Sequence, residues 1–154
     1  MGGIAFVVRA GVMRGLACVL ALVVMAAAPV LAADPAGLVA AEGWLRAAPP
    51  TAPVRAGYLI LRNRGDQDVS IVAADSPAFG AVEIHEMVHG DDDTMRMRPV
   101  AELVVPAGSQ LELEPGGLHL MLFRAQQPLA EGDTVTVTLR LEDGRDLDVE
   151  LVQR

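Results

Sequence analysis

The chain has 154 residues, with 52% hydrophobic side chains, 20 acids, 12 arginines, no lysine and a net charge of −8. That length suits one domain able to bury a self-sufficient core. The acidic balance argues against nucleic acid and against an anionic membrane surface as partners.

Arg9 and Arg14 give a positive start, Gly15 to Ala28 is a nearly unbroken apolar run, and Val30-Leu31-Ala32 places small residues where a signal peptidase cuts. These features predict a cleavable signal peptide over residues 1–32, with a retained N-terminal anchor as the alternative. Residues 33–154 are then the mature domain, which has no second long apolar run and is expected to be free of the membrane. Cys18, the only cysteine, leaves with the leader, and its flanks (Gly15-Leu16-Ala17 before it, apolar residues after) make a poor lipid-attachment site. The mature chain therefore carries no thiol, disulfide or thiolate ligand. Ten arginines against twenty acids leave it at a net charge of −10.

The mature part reads as short strands between Gly- and Pro-rich turns, with no helical stretch. Gly37 to Leu45 is a short apolar segment around Trp44, and the three prolines between Ala47 and Pro53 make a loop. Tyr58 to Arg62 is a strand ending in the turn Asn63-Arg64-Gly65-Asp66, and Val69 to Ala73 returns from it. Ala81 to Val88 follows, closed by the polar turn Asp91-Asp92-Asp93. Leu103 to Val105, Leu111 to Glu114, Leu118 to Phe123, Thr134 to Leu141 and Leu147 to Val152 complete the series. In the last two the alternation is clean: Val135, Val137, Leu139 and Leu141 share a face, and Glu142-Asp143-Gly144-Arg145 turns the chain into Leu147, Val149 and Leu151. Seven to nine such strands predict an all-β antiparallel sandwich or barrel.

Four methionines and three histidines remain in the mature chain, and all fall between His85 and Met121. A lone Met is usually core filler and a lone His a surface or hydrogen-bonded residue, but core filler has no reason to avoid every other strand. His119 and Met121 leave one face of their strand while Leu118, Leu120 and Leu122 leave the other. The turn Pro115-Gly116-Gly117 puts this pair near a rim of the sheet, where a metal can be reached. His85 and Met87 share a face, as do Met95 and Met97. Thioether sulfur is a poor ligand for hard cations and a good one for Cu(I), so His85, Met97, His119 and Met121 are the candidate ligands of a cuprous ion.

Other chemistries fit less well. Zinc does not recruit thioethers, calcium needs spaced oxygen ligands that Asp91-Asp92-Asp93 lacks, and a blue-copper site needs a thiolate. No nucleophile elbow or Ser-His-Asp order is visible, so no enzymatic activity is expected. Trp44 and Tyr58 read as core aromatics. Thioethers carry no acidic proton, so only the imidazoles need be neutral for binding, and affinity is expected to fall as pH drops through about 6.5, the range of an unperturbed histidine.

On these residues the chain resembles the periplasmic copper chaperone family PCu(A)C. The family signature is His, eleven residues, Met, twenty-one residues, then His-x-Met, and it is met at His85, Met97, His119 and Met121. Val82-Glu83-Ile84-His85-Glu86-Met87, Gly116-Gly117-Leu118-His119-Leu120-Met121-Leu122 and Tyr58-Leu59-Ile60-Leu61-Arg62-Asn63 also agree, and the resemblance runs over roughly residues 38–152. It implies a cupredoxin-like antiparallel β-sandwich or barrel of Greek-key type, with one Cu(I) per monomer. It also implies a monomeric periplasmic chaperone that delivers copper towards the CuA centre in cytochrome c oxidase subunit II, with a Sco-type thiol protein as a further partner. Some members carry a methionine directly after the first histidine; here that position is Glu86, and Met87 is either a reserve thioether or a packing residue. A His- and Met-rich tail carrying a Cu(II) site in some members has no counterpart before Arg154, so no such site is expected.

Three competing functions remain open. A copper sink for tolerance uses the same ligands. A copper-dependent redox enzyme would need more imidazole, with His89 the only spare. A metal-free binding sandwich would gain no stability from Cu(I).

Overall fold

Strands that alternate apolar and polar side chains must bury one face, and this chain does so by curling its sheet upon itself. The computed structural model describes residues 37–49, 52–90 and 94–154. The expected leader (1–32) with Cys18, part of the proline loop and the turn Asp91-Asp92-Asp93 lie outside the described residues.

Among the described residues there are ten strands and no α-helix: β1 (Leu38–Leu45), β2 (Val54–Asn63), β3 (Val69–Asp75), β4 (Phe79–His89), β5 (Met95–Pro99), β6 (Leu103–Val105), β7 (Gln110–Leu113), β8 (His119–Ala125), β9 (Thr134–Leu141) and β10 (Asp146–Gln153). Pairing runs β4-β8-β2-β1-β10-β9-β3, and Ala74 against Val82 returns β3 to β4. The all-β barrel expected from the alternation is thus closed, and closure removes the open edges that would otherwise invite aggregation. β5 extends from the free edge of β4, β6 from β3 and β7 from β2.

The clean alternation of the last two strands becomes the longest unbroken register, Asp146 to Val152 against Arg140 to Thr134. Val137, Leu139, Leu147 and Leu151 are buried from this hairpin, facing Leu61, Ile71, Leu120 and Leu122 in one apolar interior. Tyr58 is buried and Trp44 half-buried, their ring centroids 4.4 Å apart, with the Arg154 guanidinium 5.0 Å from the Trp44 ring.

Three features depart from the expectations. β1 and β10 pair in parallel, Trp44 beside Val152, within an otherwise antiparallel sheet. β1 can serve both neighbours because it bulges between Ala41 and Trp44. At Gly43 any Cβ would lie 2.2 Å from the Glu150 carbonyl oxygen, so only glycine fits there. β2 begins at Val54 rather than Tyr58. Met95–Pro99 is a tenth strand that the apolar patterning does not disclose, because every one of its side chains is exposed.

Candidate metal centre

The turn ahead of β8 is built by Glu114, whose N–H donates to the Leu118 carbonyl at 2.7 Å and whose own carbonyl accepts from the Gly117 N–H at 3.1 Å. Gly116 takes φ +86° there, a conformation L side chains rarely adopt. The chain therefore enters β8 with His119 as its first residue. Leu120 and Leu122 point into the core and are fully buried, which forces His119 and Met121 onto the other face. β4 runs alongside with Glu83 opposite Met121 and His85 opposite His119, and β5 places Met97 opposite Met87.

The two imidazole centroids lie 6.2 Å apart. Met97, His119 and Met121 line one cleft of about 230 Å³ together with Arg46, Ala48, Val54, Arg55 and Ala56. His85 is not part of that lining; it reaches the group through its ring contact with His119. Of the expected ligands, Met97 is half exposed at 49% and His119 is almost covered at 7%. The cleft is thus closed at its histidine floor and open at its methionine lip.

His85 and His119 are each held by a partner that fixes the tautomer. His119 Nδ1 lies 3.0 Å from the Gly117 carbonyl, which can only accept, so the neutral ring keeps its lone pair on Nε2. His85 Nε2 donates to Glu83 Oε2 at 2.8 Å, leaving the lone pair on Nδ1. That Nδ1 is buried and has no hydrogen-bond partner. A buried, unpaired acceptor is costly in a finished structure, and an imidazole whose other nitrogen donates to a carboxylate or carbonyl is the usual arrangement of a metal-ligating histidine. Among the described residues no group of three His, Cys, Asp or Glu could hold a metal, so a site of three or more side-chain ligands here would draw on the thioethers. A donor set of imidazole nitrogen and thioether sulfur fits a soft cation.

The wall of the cleft holds a residue the sequence patterning did not single out. Arg55 is buried; its Nη1 donates to Gln153 Oε1 at 2.9 Å and to the Ala48 carbonyl at 3.3 Å, and Nη2 to the Pro49 carbonyl at 3.3 Å. It ties the proline-rich loop to the end of β10 beside the candidate ligands. An arginine just after that loop reads as a surface residue, so no local signal would have found it.

Residues 38–153 match the family model described as "Putative lipoprotein LpqE-like". Lxx21020 of Leifsonia xyli subsp. xyli, which carries the same lipoprotein description, is 32% identical over 136 residues, covering 88% of this chain and 80% of its own length. The apo PCuAC domain from PmoF1 has a TM-score of 0.65 at 24% identity, over 79% of this chain and 96% of the domain, a likeness of fold. DR1885 from Deinococcus radiodurans, solved in its CuI form, has a TM-score of 0.59 at 31% identity over 80% of each chain.

Proposed function

Because the chain belongs to the LpqE-like family, we propose that it is an exported copper-binding protein of the cell envelope, related to the PCu(A)C chaperones. Its cargo is Cu(I), one ion held tightly per monomer by His85, Met97, His119 and Met121. The observation that carries this reading is the gathering of Met97, His119 and Met121 on one cleft, beside a His85 whose buried Nδ1 has no other partner. The likeness to a CuI-loaded structure at 31% identity supports the choice of metal. In an oxidising compartment a thiolate carrier risks becoming a disulfide, whereas thioether and imidazole persist.

The residues divide the work by position. His119 and His85, held by Gly117 and Glu83, supply preset nitrogen donors at the covered end. Met97, half exposed, offers the sulfur that a recipient's ligand can displace first. Cu(I) is thereby transferred by ligand exchange at the lip, towards the CuA site of cytochrome c oxidase subunit II with a Sco-type thiol protein as a second partner, in the periplasm. The protein carries its metal without transforming a substrate.

Anaerobic titration of the apo-protein with Cu(I) against a competing chromophoric chelator tests the site. One tight equivalent is expected, weakened at least about tenfold (roughly 1.4 kcal/mol) by Met121→Leu or Met97→Leu. Parental affinity in both variants would overturn the assignment. A sink for copper tolerance would bind the same way but keep its metal when mixed with an apo subunit II fragment, whereas a donor loads it.

A further inference from the structure

The β4–β5 hairpin continues past the proposed quartet, and its outer end carries donors that the quartet does not use. Backbone bonds from the Val100 N–H to the Ile84 carbonyl and from the Gly90 N–H to the Thr94 carbonyl, both 2.8 Å, fix which residue pairs exchange hydrogen bonds. By alternation, the pairs between them that stand in line with the quartet, Met87 with Met97 and His89 with Met95, are the non-hydrogen-bonded ones. In such pairs the Cα atoms approach to about 4.5 Å and the side chains rise together on one face. Met87 and His89 lie two and four residues beyond His85, so they share its face. The other face carries Glu86, Val88, Arg96 and Arg98, with Glu86 and Arg98 paired at 2.5 Å. Imidazole and thioether are thus sorted to one side of a ribbon whose other side is largely charged.

His89 is exposed and makes no hydrogen bond among the described residues, and Met95 is 45% exposed. A thioether left in water beside an unpartnered imidazole gains nothing for the fold, but the pair matches the donor types of the inner site. We propose that His89 and Met95 form a second, weaker site for a soft monovalent cation, from which the ion passes along Met87 and Met97 to the quartet. The transfer step rests on the copper reading above; the outer site's own binding does not. Each move is an exchange of one neutral ligand for another at an unchanged metal oxidation state, so no electron or proton is consumed.

The test uses the full mature protein with methyl-¹³C methionine and Ag(I) as the probe, followed by methyl and histidine-ring NMR. The first equivalent is expected to shift the Met97 and Met121 methyls, and the second those of Met95 together with the His89 ring. The doubly substituted His89→Ala, Met95→Leu protein, altered only at exposed positions, is expected to lose the second step and keep the first. Its rate of loading from a Cu(I)–glutathione complex is expected to fall about tenfold at unchanged final affinity. Met95 and His89 signals that stay fixed through four equivalents would overturn the proposal, as would a second step that survives in the double variant or an unchanged loading rate. Shifts at Met95 and His89 without any at Met97 and Met121 would leave the outer site standing and remove the quartet instead.

Discussion

Glu83 shows how one side chain that never touches the proposed cargo can govern its grip. It lies opposite Met121 on the neighbouring strand and accepts from His85 Nε2, thereby choosing which nitrogen of that ring is free. With the carboxylate removed, the ring can swing and either tautomer becomes available, so Nδ1 is no longer preset. Partners of this kind typically account for 10- to 100-fold (roughly) in metal affinity. Glu83→Ala is therefore expected to weaken Cu(I) binding by about that range while leaving the urea midpoint nearly unchanged, since the carboxylate is half exposed. Chelator competition on the variant measures it; parental affinity would show that His85 is held by packing alone. Glu83 was invisible as a functional residue beforehand because acids are common in this chain, whereas the ligand candidates stood out through the crowding of every mature Met and His into one segment.

At the scale of strands, what could be read in advance was whatever buries a regular apolar face. β9 and β10 announce themselves because Val135, Val137 and Leu139 alternate against Thr134, Thr136 and Thr138, and the structure pairs them in unbroken register. β5 could not be read this way: Met95-Arg96-Met97-Arg98-Pro99 buries nothing, and its strand character comes from pairing with β4. The parallel contact of β1 with β10 was equally hidden, since it joins the first and last strands and depends on a bulge rather than on apolar patterning. That bulge makes a prediction of its own. A methyl at Gly43 would press the Glu150 carbonyl at 2.2 Å and Leu151 Cδ2 at 2.8 Å, and a backbone oxygen inside a paired strand cannot step aside as a flexible side-chain tip could. Gly43→Ala is expected to cost about 1–3 kcal/mol, the range of overpacked interiors, read from urea unfolding. A variant as stable as the parent would mean that β1 and β10 do not approach so closely.

Across the whole molecule, stability is distributed unevenly, and the candidate site straddles the division. The closed ring of strands packs around one apolar interior, whereas β5 hangs from β4 by a single edge with every side chain exposed. Segments with few buried contacts and exposed backbone bonds open first. His119, Met121 and His85 belong to the ring, but Met97 belongs to the loosely held ribbon, so an ion shared among them fastens the weak part to the strong one. One equivalent of Cu(I) is therefore expected to slow amide exchange at Arg96 and Arg98, whose backbones pair with β4, by tenfold or more. Exchange at Val137 and Val149, deep in the β9–β10 hairpin, is expected to slow as well, because opening there tracks unfolding of the whole barrel and so releases the ion. A ligand that binds only the native state raises global stability by about 2.7 kcal/mol at a hundredfold excess over Kd, so the discriminating comparison is with Met97→Leu, which is expected to lose the slowing at Arg96 and Arg98 while keeping most of it at Val137 and Val149. Slowing at Val137 and Val149 with none at Arg96 and Arg98 would leave the ribbon unattached to the metal and place the ion away from Met97.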